Sequence, residues 1–157
     1  MKKEWLPAFG QMVYGIYVLT TRAGDVMNGM IASWVSQVSY SPPLIMAAVH
    51  PNRYSNELIE KSGVFALHVL DRSQKDYLDR FKIEEPAKKF SGLSWKTGKT
   101  GVPLLDDCLA CFELEVTERY CPGNHTLFIG KVVDCTIRSP GTPLLTLDYE
   151  KTYLGKS

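Results

Sequence analysis

The sequence predicts an α+β protein, mainly β, built as a closed antiparallel barrel with short flanking helices. Roughly six or seven strand-like runs stand against two or three short helical ones. In the second half the long strand-like runs follow one another with only a loop between them, the pattern of an antiparallel sheet. Helices do not alternate with every strand, as a doubly wound sheet would require. A closed barrel also protects the edges that an open antiparallel sheet leaves bare.

The elements follow in order. Residues 4–13 read as a short helix or turn. GIYVLTT (15–21) is rich in β-branched and aromatic residues, as strands are. RAGD (22–25) is a turn, with Gly24 free to take a positive φ. A second strand starts near Val26 and runs through NGMIASWVSQVSYSPPLI (28–45) as far as Pro42-Pro43, because proline has no N–H to give a ladder. LIMAAVH (44–50) is a continuous apolar run with proline on both sides, which reads as a buried strand. NRYSNELIEKS (52–62) reads as a helix, with Asn52 or Ser55 as its cap and Gly63 at C′. VFALHVL (64–70) is a strand. SQKDYLDRF (73–81) is a helix with Tyr77, Leu78 and Phe81 on one side. Residues 82–103 are irregular. Two long strands, about 109–119 and 126–138, are joined by the loop RYCPGNH, and PLLTLDYEKTYLG (143–155) is a strand or a loop lying back on the fold.

The length of 157 residues predicts one domain over 1–157. Eighteen basic and 17 acidic residues are interspersed and leave a net charge of +1, which excludes the strong field of a nucleic-acid or anionic-membrane binder. The segment MKKEWLPAFGQ lacks the apolar stretch of a signal peptide, and no run approaches the ~20 apolar residues that cross a bilayer. A cytoplasmic protein is expected, with no nucleic-acid and no membrane partner. There Cys108, Cys111, Cys121 and Cys135 are expected as reduced thiols. Cys108 and Cys111 form a C-x-x-C, but the alternation around Ala110, Phe112, Leu114 and Val116 is that of a strand, on which residues three apart face opposite ways. No metal site is expected.

Three stretches carry candidate chemistry. The first, residues 28–36, combines closely spaced backbone donors and acceptors with small hydroxyl residues and Trp34. A planar heterocycle with a polar edge suits it, and so does a strand whose serines face solvent. The second, HPNRYSNELIEKSG (50–63), ends an apolar strand and begins a helix at Asn52, Arg53 and Ser55. Unpaired N–H groups, the positive end of the helix dipole and a guanidinium together suit a phosphate; a capped helix with a surface arginine fits equally. In the third, GNHTLFIG (123–130), His125 stands just before a strand, where it either bonds to a ligand and moves a proton or bonds to local backbone. His68 lies inside a strand pattern and is read as structural.

Taken in order, GIYVLTT, NGMIASWVSQVSYSPPLIMAAV, NRYSNELIEKSGVFALHVL and GNHTLFIGKVVD resemble the flavin reductase-like family of FMN-binding split barrels, and KTGKTGVPLL (96–105) also fits. The likeness covers nearly the whole chain and is strongest to short archaeal ferric reductases and to the flavin domain of high-molecular-weight rubredoxins. It implies a six-stranded antiparallel split barrel, a homodimer, bound FMN or FAD, and NAD(P)H as electron donor. The implied acceptor is a free flavin, a ferric chelate or a small rubredoxin-like redox protein. Asn28, Gly29, Met30, Ile31, Ala32, Ser33, Trp34 and Val35 would run along the isoalloxazine edge. His50, Asn52, Arg53, Tyr54, Ser55 and Asn56 would hold the ribityl chain and phosphate, and Lys89 and Phe90 would lie in a loop closing over the flavin. His125 corresponds to the histidine of the family's Gly-Asp-His motif, near flavin and nicotinamide, with Asn124 in place of the acid. The alternative function is an electron carrier or flavin-binding module without NAD(P)H turnover.

Overall fold

The computed structural model describes residues 2–149. Strands β1 (Tyr17–Ala23), β2 (Val26–Ala32), β3 (Val35–Ser39), β4 (Leu44–Val49), β5 (Val64–Val69), β8 (Ala110–Tyr120) and β9 (Thr126–Ile137) form one antiparallel sheet in the order β2-β1-β5-β8-β9-β4-β3. The sheet has seven strands where six were expected, because residues 26–41 form two strands with different neighbours. β2 pairs with β1, whereas β3 pairs with β4. The chain crosses between them at Ser33-Trp34, where Ala48 N donates to the Trp34 carbonyl at 2.9 Å. Strands consecutive in sequence therefore sit at opposite ends of the order, and the sheet curls until β2 comes against β4. That closure is the split barrel.

β1 shows how the sequence specifies two cores. Val18 and Leu19 are both fully buried, on opposite faces. Leu19 points into the barrel with Ala47, Val49, Phe65, Leu67, Leu114 and Phe128, and Ile59 of helix α2 (Tyr54–Ser62) packs into the same cluster. Val18 faces outward onto Ile16, Leu70, Tyr77, Leu78, Phe81 and Phe90. Each large apolar side chain removed from water contributes about 1.5–3 kcal/mol. An apolar run without alternation therefore marks a strand covered on both sides. Thr20 and Thr21 are also fully buried and satisfy their hydroxyls by donating to Pro103 O (2.6 Å) and Val64 O (2.7 Å).

The outer cluster is carried by elements that the sequence showed only in part. Helix α3 (Asp76–Arg80) is shorter than the expected 73–81, because residues 71–74 form a turn in which Gln74 Oε1 accepts from Asp71 N. Residues 82–103, expected to be irregular, hold helix α4 (Pro86–Phe90) and strand β6 (Trp95–Thr97), which pairs with β7 (Pro103–Leu105). Pro86 begins α4 where a missing N–H costs nothing. A 3₁₀ turn (Lys3–Trp5) and a four-residue helix α1 (Leu6–Phe9) open the chain. The segment after Pro143 returns along the fold with Leu144 N bonded to Leu70 O and ends in a 3₁₀ turn, Thr146–Asp148; its residues 150–155 lie outside the described residues.

His68 ties the β6–β7 ribbon to the sheet. Its Nε2 accepts from Leu105 N at 3.1 Å, so Nδ1 carries the proton and donates to Val18 O at 3.1 Å. Burial holds this ring down at about 4, against its ordinary 6.5.

Candidate functional site

A cavity of about 480 Å³ opens between β2, the start of α2, α3 and the returning C-terminal segment, a size usual for small-molecule sites. β2 lies at the end of the sheet, so among the described residues one of its two edges has no strand beside it. The Gly29 carbonyl leaves on that free side, where it accepts from Lys89 Nζ at 2.8 Å. Side-chain and backbone directions repeat every second residue along a strand, so the N–H and C=O of Ile31 leave on the same side. Ile31 lines the cavity, as do Met30, Ala32, Ser33 and Trp34. This wall is apolar in its side chains and polar along its backbone.

The start of α2 forms a second wall. Arg53 occupies the N-cap position in an extended conformation and makes no side-chain capping bond. Neither Asn52 nor Ser55 caps the helix, contrary to the expectation from sequence, and Asn52 N instead donates to His50 Nδ1 at 3.1 Å. The first-turn N–H groups therefore have no capping side chain and sit among Asn52, Arg53, Tyr54 and Ser55, all of which line the cavity. Gly63 ends the helix at φ 69°, in the left-handed conformation expected of it.

Lys89 completes the polar end. It is 6% exposed, and its ammonium donates to Asn28 Oδ1 (2.9 Å) and Gly29 O (2.8 Å). Asn28 Nδ2 in turn donates to Ser55 Oγ at 3.0 Å, which leaves the Ser55 hydroxyl proton free to donate. An ammonium has three protons, so one remains for a ligand. Burial, reinforced by Arg53, pushes the Lys89 ammonium below its usual range. Among the lining residues Arg53, Lys82 and Lys89 are cationic and Glu84 alone is acidic. A buried cation, a second cation and an uncapped helix start make an anion site next to a flat apolar wall with backbone hydrogen-bonding groups. This donor set fits a phosphate-bearing planar heterocycle, and so it fits a flavin mononucleotide.

At the far end of β4, strand pairing sets the geometry. Val49 is opposite Thr126, so the next residue of one strand and the preceding residue of the other, His50 and His125, meet. Their ring centroids are 5.0 Å apart, and the His125 ring is 4.7 Å from that of Trp34. His125 is 7% exposed and bonds through Nδ1 to Asn124 Oδ1 at 2.8 Å. An amide oxygen only accepts, so Nδ1 carries the proton and Nε2 is an acceptor. Asn124 thus orients the ring through the hydrogen bond alone. Burial, with His50 and Arg53 nearby, lowers the His125 pKa and keeps the ring neutral.

Of the residues singled out from sequence, the cavity brings together Asn28, Met30, Ile31, Ala32, Ser33, Trp34, His50, Asn52, Arg53, Tyr54, Ser55 and Lys89. His125 stands behind it against Trp34 and His50. Gly29, Val35, Asn56 and Phe90 do not line it. Asn56 turns inward and donates to Val49 O at 3.0 Å, Phe90 packs between Phe81 and Trp95, and Val35 packs on the barrel core. Gly29 lies under the Phe81 ring, with Phe81 Cε1 only 2.5 Å from where a Cβ would stand. The sequence reading missed Ile16, Ala48, Leu78, Phe81, Lys82, Ile83, Glu84, Thr146 and Tyr149. Only the Tyr77-Leu78-Phe81 stripe gave a signal, and it read as ordinary core.

The model of the flavin reductase like domain matches residues 9–155. The chain belongs to that family. The flavin reductase-like chain is 31% identical over 154 residues to a ferric-chelate reductase (NAD(P)H) of Archaeoglobus fulgidus, covering 96% of this chain and 91% of that protein. It is 30% identical over 152 residues to the high molecular weight rubredoxin of Moorella thermoacetica, covering 94% of this chain but 66% of the relative's length. Among solved structures it matches the NADH:FAD oxidoreductase SgcE6 of Streptomyces globisporus C-1027, in complex with NAD and FAD fragments, with a TM-score of 0.81 and 28% identity over 88% of this chain and 83% of that one. The split-barrel fold and the flavoprotein oxidoreductase family are those expected from the sequence. No helix of the described residues is long and apolar enough to cross a membrane.

Proposed function

We propose that the chain is an NAD(P)H-dependent flavin or ferric reductase, a single flavin reductase-like domain that works as a homodimer in the cytoplasm and holds FMN in the β2–α2 cavity. The observation that carries this is the pairing of the buried, carboxylate-free Lys89–Asn28–Ser55 network with the uncapped start of α2 at Arg53. Arg53, Lys89, Ser55 and the N–H groups of Tyr54 and Ser55 would take the phosphate; the Asn56 N–H is already bonded to Arg53 O at 2.8 Å. The free edge of β2 at Ile31 would meet the polar edge of the ring, and Met30, Ala32, Ala48 and Trp34 would exclude water from its faces. A flavin held there would supply the redox chemistry, as acceptor of a hydride from the nicotinamide and donor of its electrons onward.

No side chain need act as acid or base. What the chain contributes is proximity and a dry, oriented site. His125, neutral and oriented by Asn124, is assigned to the nicotinamide side, next to Trp34 and His50. The acceptor is a free flavin, a ferric chelate or a rubredoxin-like protein. The ferric-chelate reductase and rubredoxin relatives support the last two.

The test is an anaerobic visible spectrum of the purified protein before and after NADH or NADPH. A flavin band that bleaches is expected. A band that persists with both nucleotides but bleaches with dithionite would make the protein an electron carrier. A colourless protein that takes up no added FMN would refute the flavin site.

A further inference from the structure

The C-x-x-C that the flavin chemistry leaves unused is not arranged as the strand pattern predicts. β8 begins at Ala110, and residues 106–109 bend before it. Cys108 therefore lies off the strand, and the two sulfurs come within hydrogen-bonding reach of each other. Both cysteines are 2% exposed.

The bend is clamped from three sides. Leu109 N donates to Val69 O at 2.8 Å, Arg138 N donates to Leu109 O at 2.8 Å, and Ser139 Oγ donates to Cys108 O at 3.2 Å. The same bonds bring the Arg138 side chain within reach of Cys111. Among the described residues Arg138 Nε is buried with no hydrogen-bond partner, and the Nη1 of the same guanidinium stands 3.8 Å from Asp106 Oδ1. A buried donor left without a partner is costly, and Cys111 as a thiolate would offer Arg138 an acceptor. Among the described residues no third His, Cys, Asp or Glu joins the pair into a metal-binding group.

We propose that Cys108 and Cys111 are a redox-active dithiol, with Cys111 as the attacking thiolate, Cys108 as the resolving thiol and Arg138 as the positioning residue, that closes to a disulfide when it meets a hydroperoxide. The electrostatics agree with these roles. The hydrogen bond from Cys108 and the Arg138 guanidinium lower the Cys111 pKa against the effect of burial and of Glu113. Bonding to Cys111, burial and Asp107 push the Cys108 thiol up. Leu105 O, 3.6 Å from Cys108 Sγ, is the alternative acceptor for that thiol's one proton.

The step balances with hydrogen peroxide as the oxidant. The Cys111 sulfur attacks one peroxide oxygen, the S–O bond forms, the O–O bond breaks, and the departing hydroxide takes up a proton as water. Cys108, giving up its proton, then attacks the Cys111 sulfur. The S–S bond forms and the S–O bond breaks, and a second water leaves. Two electrons have passed from the two thiols to the peroxide. The dithiol lies outside the flavin cavity. Cys111 is opposite His68, His68 opposite Val18, and Val18 opposite Ile31, three strand spacings or about 14 Å away. The cross-linked bend nonetheless bears on the cavity wall, because Asp107 O accepts from Gln74 Nε2 at 2.9 Å at the foot of the helix that carries Leu78.

The test treats the purified full chain with hydrogen peroxide, quenches in acid, labels free thiols under denaturing conditions and digests with trypsin. Cys108 and Cys111 share the peptide 100–119, whereas Cys121 and Cys135 lie outside it. The expected product is an unlabelled 100–119 peptide about 2 Da lighter, formed before exposed Cys121 or Cys135 reacts. Labelled Cys108 and Cys111 beside oxidised Cys121 or Cys135 would overturn the proposal. Arg138→Gln should slow closure roughly tenfold or more at neutral pH and shift its pH profile upward as thiolate is lost, and Arg138→Lys should restore part of both. An unchanged rate and profile in Arg138→Gln would remove Arg138 from the mechanism.

Discussion

Lowering the pH from 7 to 5 is expected to cost the fold about 2 kcal/mol through one residue, His68. Its ring is fully buried, and both nitrogens are committed: Nδ1–H to Val18 O and Nε2 to Leu105 N–H. A proton on Nε2 would face the Leu105 N–H and would lie in a site that hydrates no charge. The folded ring therefore titrates at about 4, whereas in the unfolded chain it titrates near 6.5. Between those values the unfolded chain binds the proton and the folded chain does not, so acid pulls the equilibrium toward unfolding. The contribution is complete above about pH 6.5, falls as pH drops through the window, and stops changing below about pH 4, after a total loss of about 3 kcal/mol. Urea unfolding of wild type and His68→Gln at pH 7 and pH 5, at one fixed protein and flavin concentration, measures it. With a slope of about 2 kcal/mol per molar urea, the wild-type midpoint should drop by about 1 M more than that of the variant. Carboxylates that titrate in the same range act on both proteins and cancel in the comparison. Equal drops would refute the reasoning. Should the variant not fold, ring NMR of the wild type decides the same point: a His68 ring protonated at pH 5 in the folded protein would be equally fatal.

Other predictions concern the site. Arg53→Ala should weaken FMN binding by about 1–3 kcal/mol, as loss of a charge-assisted bond does, and a fluorescence titration reads this directly. His125→Ala should slow anaerobic reduction by NADH, followed by stopped flow, more than it raises the FMN dissociation constant. Because the His125 pKa is lowered, the wild-type rate should hold through neutral pH and change only below about 6.5, and Asn124→Leu should alter that profile by releasing the ring. Gly29→Ala should displace Phe81 from the cavity wall, at a cost of about 1–3 kcal/mol in stability by overpacking, seen as a lower thermal midpoint. Asn56→Ala should cost roughly 1–3 kcal/mol of stability, because it strands the buried Val49 carbonyl, yet leave FMN affinity nearly unchanged.

Much of this protein is local, and the sequence alone determined that part. Strand and helix identities follow from residue type and spacing, and so do the end of α2 at Gly63 and the meeting of a basic helix start with an apolar strand. The order of four segments also carried the family and the residues that turn out to surround one cavity. The tertiary structure decided what depends on partners distant in the chain. Trp34 marks a strand break only because its carbonyl is claimed by Ala48 of another strand, and Gly29 is small because Phe81 lies on it. Asn56 serves the core and Ser55 the cavity, although they are neighbours, because a helix turns them onto different faces. The two cysteines meet because Val69 of β5 and Arg138, just past the end of β9, hold the bend between them. Period-2 and period-3.6 patterns report which way a side chain faces, but not what faces it, and at Cys108 the strand had not yet begun.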